Sequence, residues 1–203
     1  MAKPTTTLHY LDIGSVSLGE VIRLFLIDAG IDFNGVSYKY DSTWPASRKR
    51  LKDDGLSETG LLPVLEYKGA ILTQHLPILR YLARDLGAYG GETNSEEYLL
   101  DAVTDIYIDW RTQWGTQLTN KTTKYMDETA PEYYRLVAGY YALHDGPYLL
   151  GDRVTYADFV IYQSLHNDIK TGTLPAELPG EIIKFRQAFE VRANIAKYLK
   201  NRT

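Results

Sequence analysis

The 203-residue chain contains no cysteine. That absence excludes disulfide stapling, thiolate metal sites and any mechanism with a protein cysteine as nucleophile or redox centre. Histidine is scarce: His9, His75, His144 and His166 are scattered without HExxH or comparable ligand spacing, so no metal site is expected. No segment approaches the roughly 18 consecutive apolar residues that would span a membrane. The start, Met1-Ala2-Lys3-Pro4 followed by three threonines, lacks the apolar stretch of a signal peptide, and a cytoplasmic location is expected. There is no long run of Lys and Arg, and the formal net charge is -4, so the chain carries no electrostatic footprint for a phosphate backbone. Nucleic acid and membrane are therefore not expected as partners.

Tyrosine, by contrast, is abundant, with 17 residues, most of which must serve packing and interfaces. The first ninety residues alternate between strand and helix signals. Thr7 to Leu11 reads as a strand, and Ser17 to Ala29 as an amphipathic helix with apolar residues at 18, 21, 22, 25 and 29. Ser17 and Glu20 suit a capping box and Gly30 the helix C-terminus. Phe33 to Tyr38 reads as a second strand, Pro45 to Lys52 as a short helix, and Pro63 to Tyr67 with Ala70 to Leu72 as a hairpin around Lys68-Gly69. A helix from about Gln74 to Leu86 completes a β-α-β-α-β-β-α order, which forms a small mixed sheet covered by helices. Strand signals then vanish. Helical periodicity follows near 95 to 119, 131 to 144, 155 to 168, 180 to 190 and 192 to 201, after a glycine-rich linker at Gly87 to Asn94. Residues 1–88 and 89–203 are the expected domains, giving an α+β fold class with an all-helical second part.

The stretch from Leu72 through Gln74, His75 and Pro77 to Gly87 resembles the cytosolic glutathione transferases, in particular the pi and sigma classes. Gly60-Leu61-Leu62-Pro63 resembles the loop before that family's cis-proline, and Gly151-Asp152-Arg153-Val154-Thr155-Tyr156-Ala157-Asp158 its C-terminal capping motif. The resemblance implies a thioredoxin-like βαβαββα domain followed by an all-α domain, with glutathione as co-substrate.

It also implies a set of glutathione contacts. Leu62-Pro63 becomes the cis peptide, leaving the main chain of Leu62 to pair with an extended peptide ligand; without the family, an ordinary trans proline opening a strand fits as well. Gln74 and His75, at a helix start, face the γ-glutamyl carboxylate, with Pro77 in the first turn. The family usually has serine in place of His75, and a surface histidine is the alternative. Trp44 and Arg50 are implied for the glycine end, although the stretch to Pro63 is longer here and Leu61 replaces a frequent glutamine. The alternative there is a packed tryptophan and a solvated Arg48-Lys49-Arg50 run.

A free thiol has a pKa near 8.5, so the enzyme must lower it to hold thiolate at neutral pH. Tyr10, at the end of the first strand, occupies the family's catalytic tyrosine position, and its hydroxyl is the expected donor to the sulfur. Ser15 and Ser17 compete, because other transferase classes use a serine near this helix start; Ser17 already has a capping role.

Asp101, Asp105 and Asp109 repeat every four residues, a self-repelling row, and Arg80 and Arg84 present a complementary pair. In the family such rows pair between subunits of a homodimer, and Asp109 matches the aspartate that reaches across to the γ-glutamyl amine; an ordinary solvated helix face is the alternative. A second-substrate pocket for a small hydrophobic electrophile is expected from Ile13, Gly14, Tyr107, Trp110, Arg111 and Trp114, though a helical aromatic stripe is more often core. Thr155 and Asp158 are assigned to folding alone. Two rivals remain: a non-catalytic binding or regulatory protein that keeps the transferase fold, for which His75 and Leu61 speak, and a glutathione-dependent isomerase, which would share every residue named except the electrophile pocket.

Overall fold

The computed structural model describes residues 6–202. Its backbone contacts divide the chain into two compact units, Met1–Leu82 and Ala83–Thr203, and the division falls inside a helix.

The first unit holds β1 (Thr7–Leu11), α1 (Leu18–Asp28), β2 (Asn34–Tyr38), α2 (Trp44–Asp53), β3 (Val64–Tyr67), β4 (Ala70–Thr73) and the start of α3 (His75–Leu86). The strand order is β2-β1-β3-β4. β1 runs parallel to β2, which requires the α1 crossover, and antiparallel to β3. Local chemistry sets the element ends. Ser17 Oγ accepts from the Glu20 N–H at 3.3 Å at the start of α1. At its end Ile31 N–H reaches Leu26 C=O at 2.9 Å and Gly30, at φ +67°, reaches Ile27 C=O at 3.1 Å, a Schellman closure that needs the left-handed residue. Lys68 and Gly69 take φ +49° and +82°, the pair of positive values that a tight two-residue hairpin demands.

The register decides what the sheet presents at its end. His9 stands opposite Val64, and Val64 opposite Thr73. One position beyond these lie Tyr10 in β1, Pro63 just before β3 and Gln74 just after β4, three neighbours along one edge of the sheet.

The second unit is helical: α4 (Asn94–Gln117), a π-helical turn (Tyr125–Thr129), α5 (Ala130–Tyr141), α6 (Tyr156–Thr171), α7 (Gly180–Glu190) and α8 (Ala193–Asn201). Thr155 and Asp158 form a full capping box at the start of α6; the Asp158 carboxylate also accepts from Leu149 N–H at 3.1 Å and Tyr141 Oη at 2.8 Å. Burial pushes its pKa up, against the pull of those donors. Asp168, near the other end of α6, accepts from Tyr125, Tyr134 and Thr173 hydroxyls at 2.9, 2.7 and 2.6 Å. Tyr125 and Tyr134 would stand on roughly opposite faces of an unbroken α-helix, at about 100° per residue. The wider π turn between them lets both reach one carboxylate.

Candidate functional site

Tyr10, the last but one residue of β1, has its side chain buried, 8 % exposed. The ring lies against the first turn of α1: a Cβ built on Gly19 would fall 2.6 Å from Tyr10 Cδ2 and 2.8 Å from its Cβ, so only glycine fits there. The hydroxyl sits at the helix start, where Leu18 N–H donates to Tyr10 Oη at 3.1 Å. Leu18 is the first helical residue, so this N–H has no acceptor within the helix. The competing serines differ from Tyr10 and from each other. Ser17 is buried and spends its hydroxyl on the cap, while Ser15 is half-buried in the preceding loop.

Leu62-Pro63 is a cis peptide bond, as the family resemblance implies. The loop before it is held by Ser57, whose hydroxyl donates to Leu61 C=O at 2.8 Å and accepts from Leu61 N–H at 3.0 Å. The N–H and C=O of Leu62 form no hydrogen bond among the described residues, which leaves a donor and an acceptor for an extended peptide. Gln74 is exposed and takes φ +67°, a left-handed conformation that costs a non-glycine residue about 1–2 kcal/mol. Such strain concentrates at ligand clamps. Its C=O accepts the first α3 hydrogen bond, from Ile78 at 2.9 Å. His75 is only 7 % exposed, so the surface-histidine alternative is removed.

Tyr10, Leu62, Pro63, Gln74 and His75 thus gather at one sheet edge. Trp44 and Arg50 come from a separate element, α2. Both lie in regular α2, where a separation of six residues sets side chains about 120° apart. The half-buried Trp44 packs on Tyr40, ring centroids 6.0 Å apart, and shares a cavity of about 340 Å³ with Pro45, Arg48, Lys49 and Lys52. Arg50 instead lies within electrostatic reach of Tyr38. On the opposite face of β1 from Tyr10, His9 links Tyr38 Oη at 2.9 Å and Glu66 at 2.8 Å. Burial first, then the Glu66 and Asp54 carboxylates, push the Tyr38 hydroxyl up.

In the second unit, Asp105 and Asp109 are exposed on α4, while Asp101 accepts from Tyr156 Oη at 3.1 Å. The expected aromatic wall is corrected. Tyr107, Trp110 and Trp114 are 0, 2 and 1 % exposed, and Trp110 stacks on Tyr133 at 5.3 Å. Their stripe is core, as its 3/4 spacing on a long helix allows.

Sequence reasoning missed Gly19, Leu18 and Ser57. A glycine in the first turn of a helix, where it costs stability, was the available signal for Gly19.

Comparison with known proteins matches residues 6–84 to the glutathione S-transferase N-terminal domain and residues 108–202 to the glutathione S-transferase C-terminal domain. Glutathione S-transferase 1 of Ascaris suum is 29 % identical over 98 % of this chain and 97 % of its own. Hematopoietic prostaglandin D synthase of Gallus gallus is 30 % identical over 69 % of this chain and 68 % of its own. Among solved structures, the glutathione S-transferase from Ascaris lumbricoides superimposes with a TM-score of 0.78, at 30 % identity over 98 % of each chain. The chain belongs to the cytosolic glutathione S-transferase family. It is a transferase enzyme with glutathione as co-substrate.

Proposed function

We propose that Tyr10 stabilises the glutathione thiolate through its hydroxyl, and that the chain conjugates this sulfur to small hydrophobic electrophiles in the manner of a detoxification enzyme. The observation that carries the reading is the shared sheet edge of Tyr10, the unbonded main chain of Leu62 and the left-handed Gln74. Leu62 and Pro63 hold the peptide backbone; Gln74 and His75, at the α3 N-terminus, hold the γ-glutamyl carboxylate. Trp44 and Arg50 are the proposed contacts to the glycine end, with Arg48, on the Trp44 face, the alternative cation. Functionally, residues 1–88 form the glutathione-binding domain and 89–203 the helical domain. We place the protein in the cytoplasm on the family resemblance alone.

The reading includes a homodimer in which Arg80 and Arg84 pair with the Asp101 and Asp105 row of a second copy, and Asp109 of that copy completes the site. Reversing both arginines to glutamate sets acids against acids, a repulsion that costs several kcal/mol in an interface, so dimer gives way to monomer. Sedimentation and glutathione titration on one sample decide it: a monomer with undiminished affinity refutes the shared site, and a persistent dimer refutes the pairing. For the activity itself, retention on immobilised glutathione followed by turnover with an aryl halide is the test; retention without turnover points to a non-catalytic binding protein.

The likeness to a prostaglandin D synthase favours a second reading, isomerisation with glutathione as cofactor. Glutathione-dependent formation of prostaglandin D, without loss of glutathione thiol, would establish it.

A further inference from the structure

The start of α1 touches Tyr10 in two independent ways: a main-chain donor meets its hydroxyl, and a missing side chain admits its ring. The Leu18 N–H donates to Tyr10 Oη at 3.1 Å, so one lone pair of that oxygen faces the positive end of the helix. A hydroxyl that accepts such a bond becomes a stronger donor, because linked hydrogen bonds polarise one another. The contact exists only because residue 19 is glycine: any Cβ there overlaps the Tyr10 ring near its root, which cannot swing aside without carrying the hydroxyl away from the amide.

We infer that the Leu18 amide and Gly19 are positioning residues for thiolate stabilisation: Gly19 seats the Tyr10 ring on the helix start, and the Leu18 N–H strengthens the Tyr10 O–H as donor to the glutathione sulfur. The inference rests on the reading of Tyr10 as the thiolate donor.

Proline tests the amide directly. Leu18 is the first helical residue, where proline is accepted, and Ser17 before it is extended at φ -113°, ψ 157°, the conformation that a following proline favours. Leu18→Pro therefore deletes the donor at little cost to the helix, and Leu18→Ala provides the reference for the lost side chain. The readouts are the ultraviolet absorbance of thiolate in the glutathione complex against pH and kcat/KM with an aryl halide. Relative to Leu18→Ala, Leu18→Pro should raise the pKa of the bound thiol by about one unit, lower kcat/KM at neutral pH about tenfold, and recover the loss at alkaline pH. Glutathione affinity should stay within a few-fold. Identical pH profiles in the two variants overturn the role of the amide.

Gly19→Ala tests the seat. It should shift the profile in the same direction and add nothing to Tyr10→Phe, since both act through one hydroxyl; fully additive losses overturn it. Circular dichroism reports which variants fold, and either one carries the test through its own pH profile. Tyr10→Phe separates the two levels: an unshifted profile in that variant sinks the Tyr10 reading itself. A shifted one beside an unshifted Leu18→Pro sinks only the inference drawn from the helix start.

Discussion

In the helical unit the buried carboxylates of Asp158 and Asp168 are each surrounded by donors, two of them tyrosine hydroxyls converging on Asp168. At the sheet edge of the first unit the polar groups stand differently. Leu62 keeps its main-chain donor and acceptor unbonded among the described residues, and Gln74 holds a left-handed backbone in the open. A buried charge without full pairing is costly, so a saturated carboxylate speaks for folding. Unused hydrogen-bonding capacity and strain, retained at a surface edge, speak for a ligand. The comparison separates polar residues that hold the fold from polar residues that await something.

The largest expected effect breaks the saturated side. Asp158→Ala strips the α6 cap and leaves Tyr141 Oη and two main-chain donors behind, at a cost of about 3 to 5 kcal/mol read from the denaturant midpoint. A loss below 1 kcal/mol would show that the network is dispensable.

Next, Tyr10→Phe should lower kcat/KM by about 1.5 to 3 kcal/mol of transition-state binding, roughly ten- to a hundredfold, with glutathione affinity within a few-fold. Full activity in Tyr10→Phe beside an inactive Ser15→Ala would transfer the role to Ser15.

Gln74→Gly sharpens the contrast, because stability and function should part company. Releasing the left-handed strain recovers about 1 kcal/mol, offset in part by the entropy of glycine, while glutathione affinity falls about tenfold with the lost side chain. Calorimetric titration and thermal melting on the same variant read both. A fall in stability with unchanged affinity would place Gln74 among the structural residues.

The smallest effect concerns His166, half-buried on α6, whose pKa burial lowers to about 3, helped by the charges of Arg202, Lys170 and Arg186. Its folded pKa lies below the unfolded value, so the unfolded chain takes up the proton first. Stability from this group is intact above about pH 6.5 and is lost as pH falls towards 3. At about pH 5 the loss amounts to about 1 kcal/mol after allowance for partial solvent access. His166→Gln should therefore melt higher than the parent at about pH 5 by more than any difference at neutral pH; an equal offset at both would refute the assignment. Asp158 and Asp168, with raised pKa values, act in the opposite direction in both proteins and cancel in the difference.

Elements set by local rules were legible in the sequence. The capping serine and closing glycine of α1, the Lys68-Gly69 turn and the span Gly180–Glu190 of α7 all follow from residues within a few positions of one another. The cis bond at Leu62-Pro63 came from family resemblance, since proline alone permits either isomer. The unread features depend on partners distant in sequence or on orientation around a helix. The π turn exists beside a carboxylate some forty positions away, at the far end of α6. Gly19 has its meaning only through the Tyr10 ring, nine positions back and on another element. The short helix expected from Pro45 to Lys52 is there as α2, but how Trp44 and Arg50 face around it depends on the helix start, which local residues leave open by a position or two.

The π turn before α5 also bears on how this helix tolerates changes of length. A chain one residue shorter between Tyr125 and Tyr134 could wind as continuous α-helix with the two rings about 80° apart, close enough to share a neighbour. The turn thus stores a single-residue insertion without rerouting the backbone on either side. Relatives that differ by one residue at 125–129 should keep both hydroxyls on the α6 carboxylate, and the gap in their alignment would mark a change of helical pitch, with no loop gained or lost.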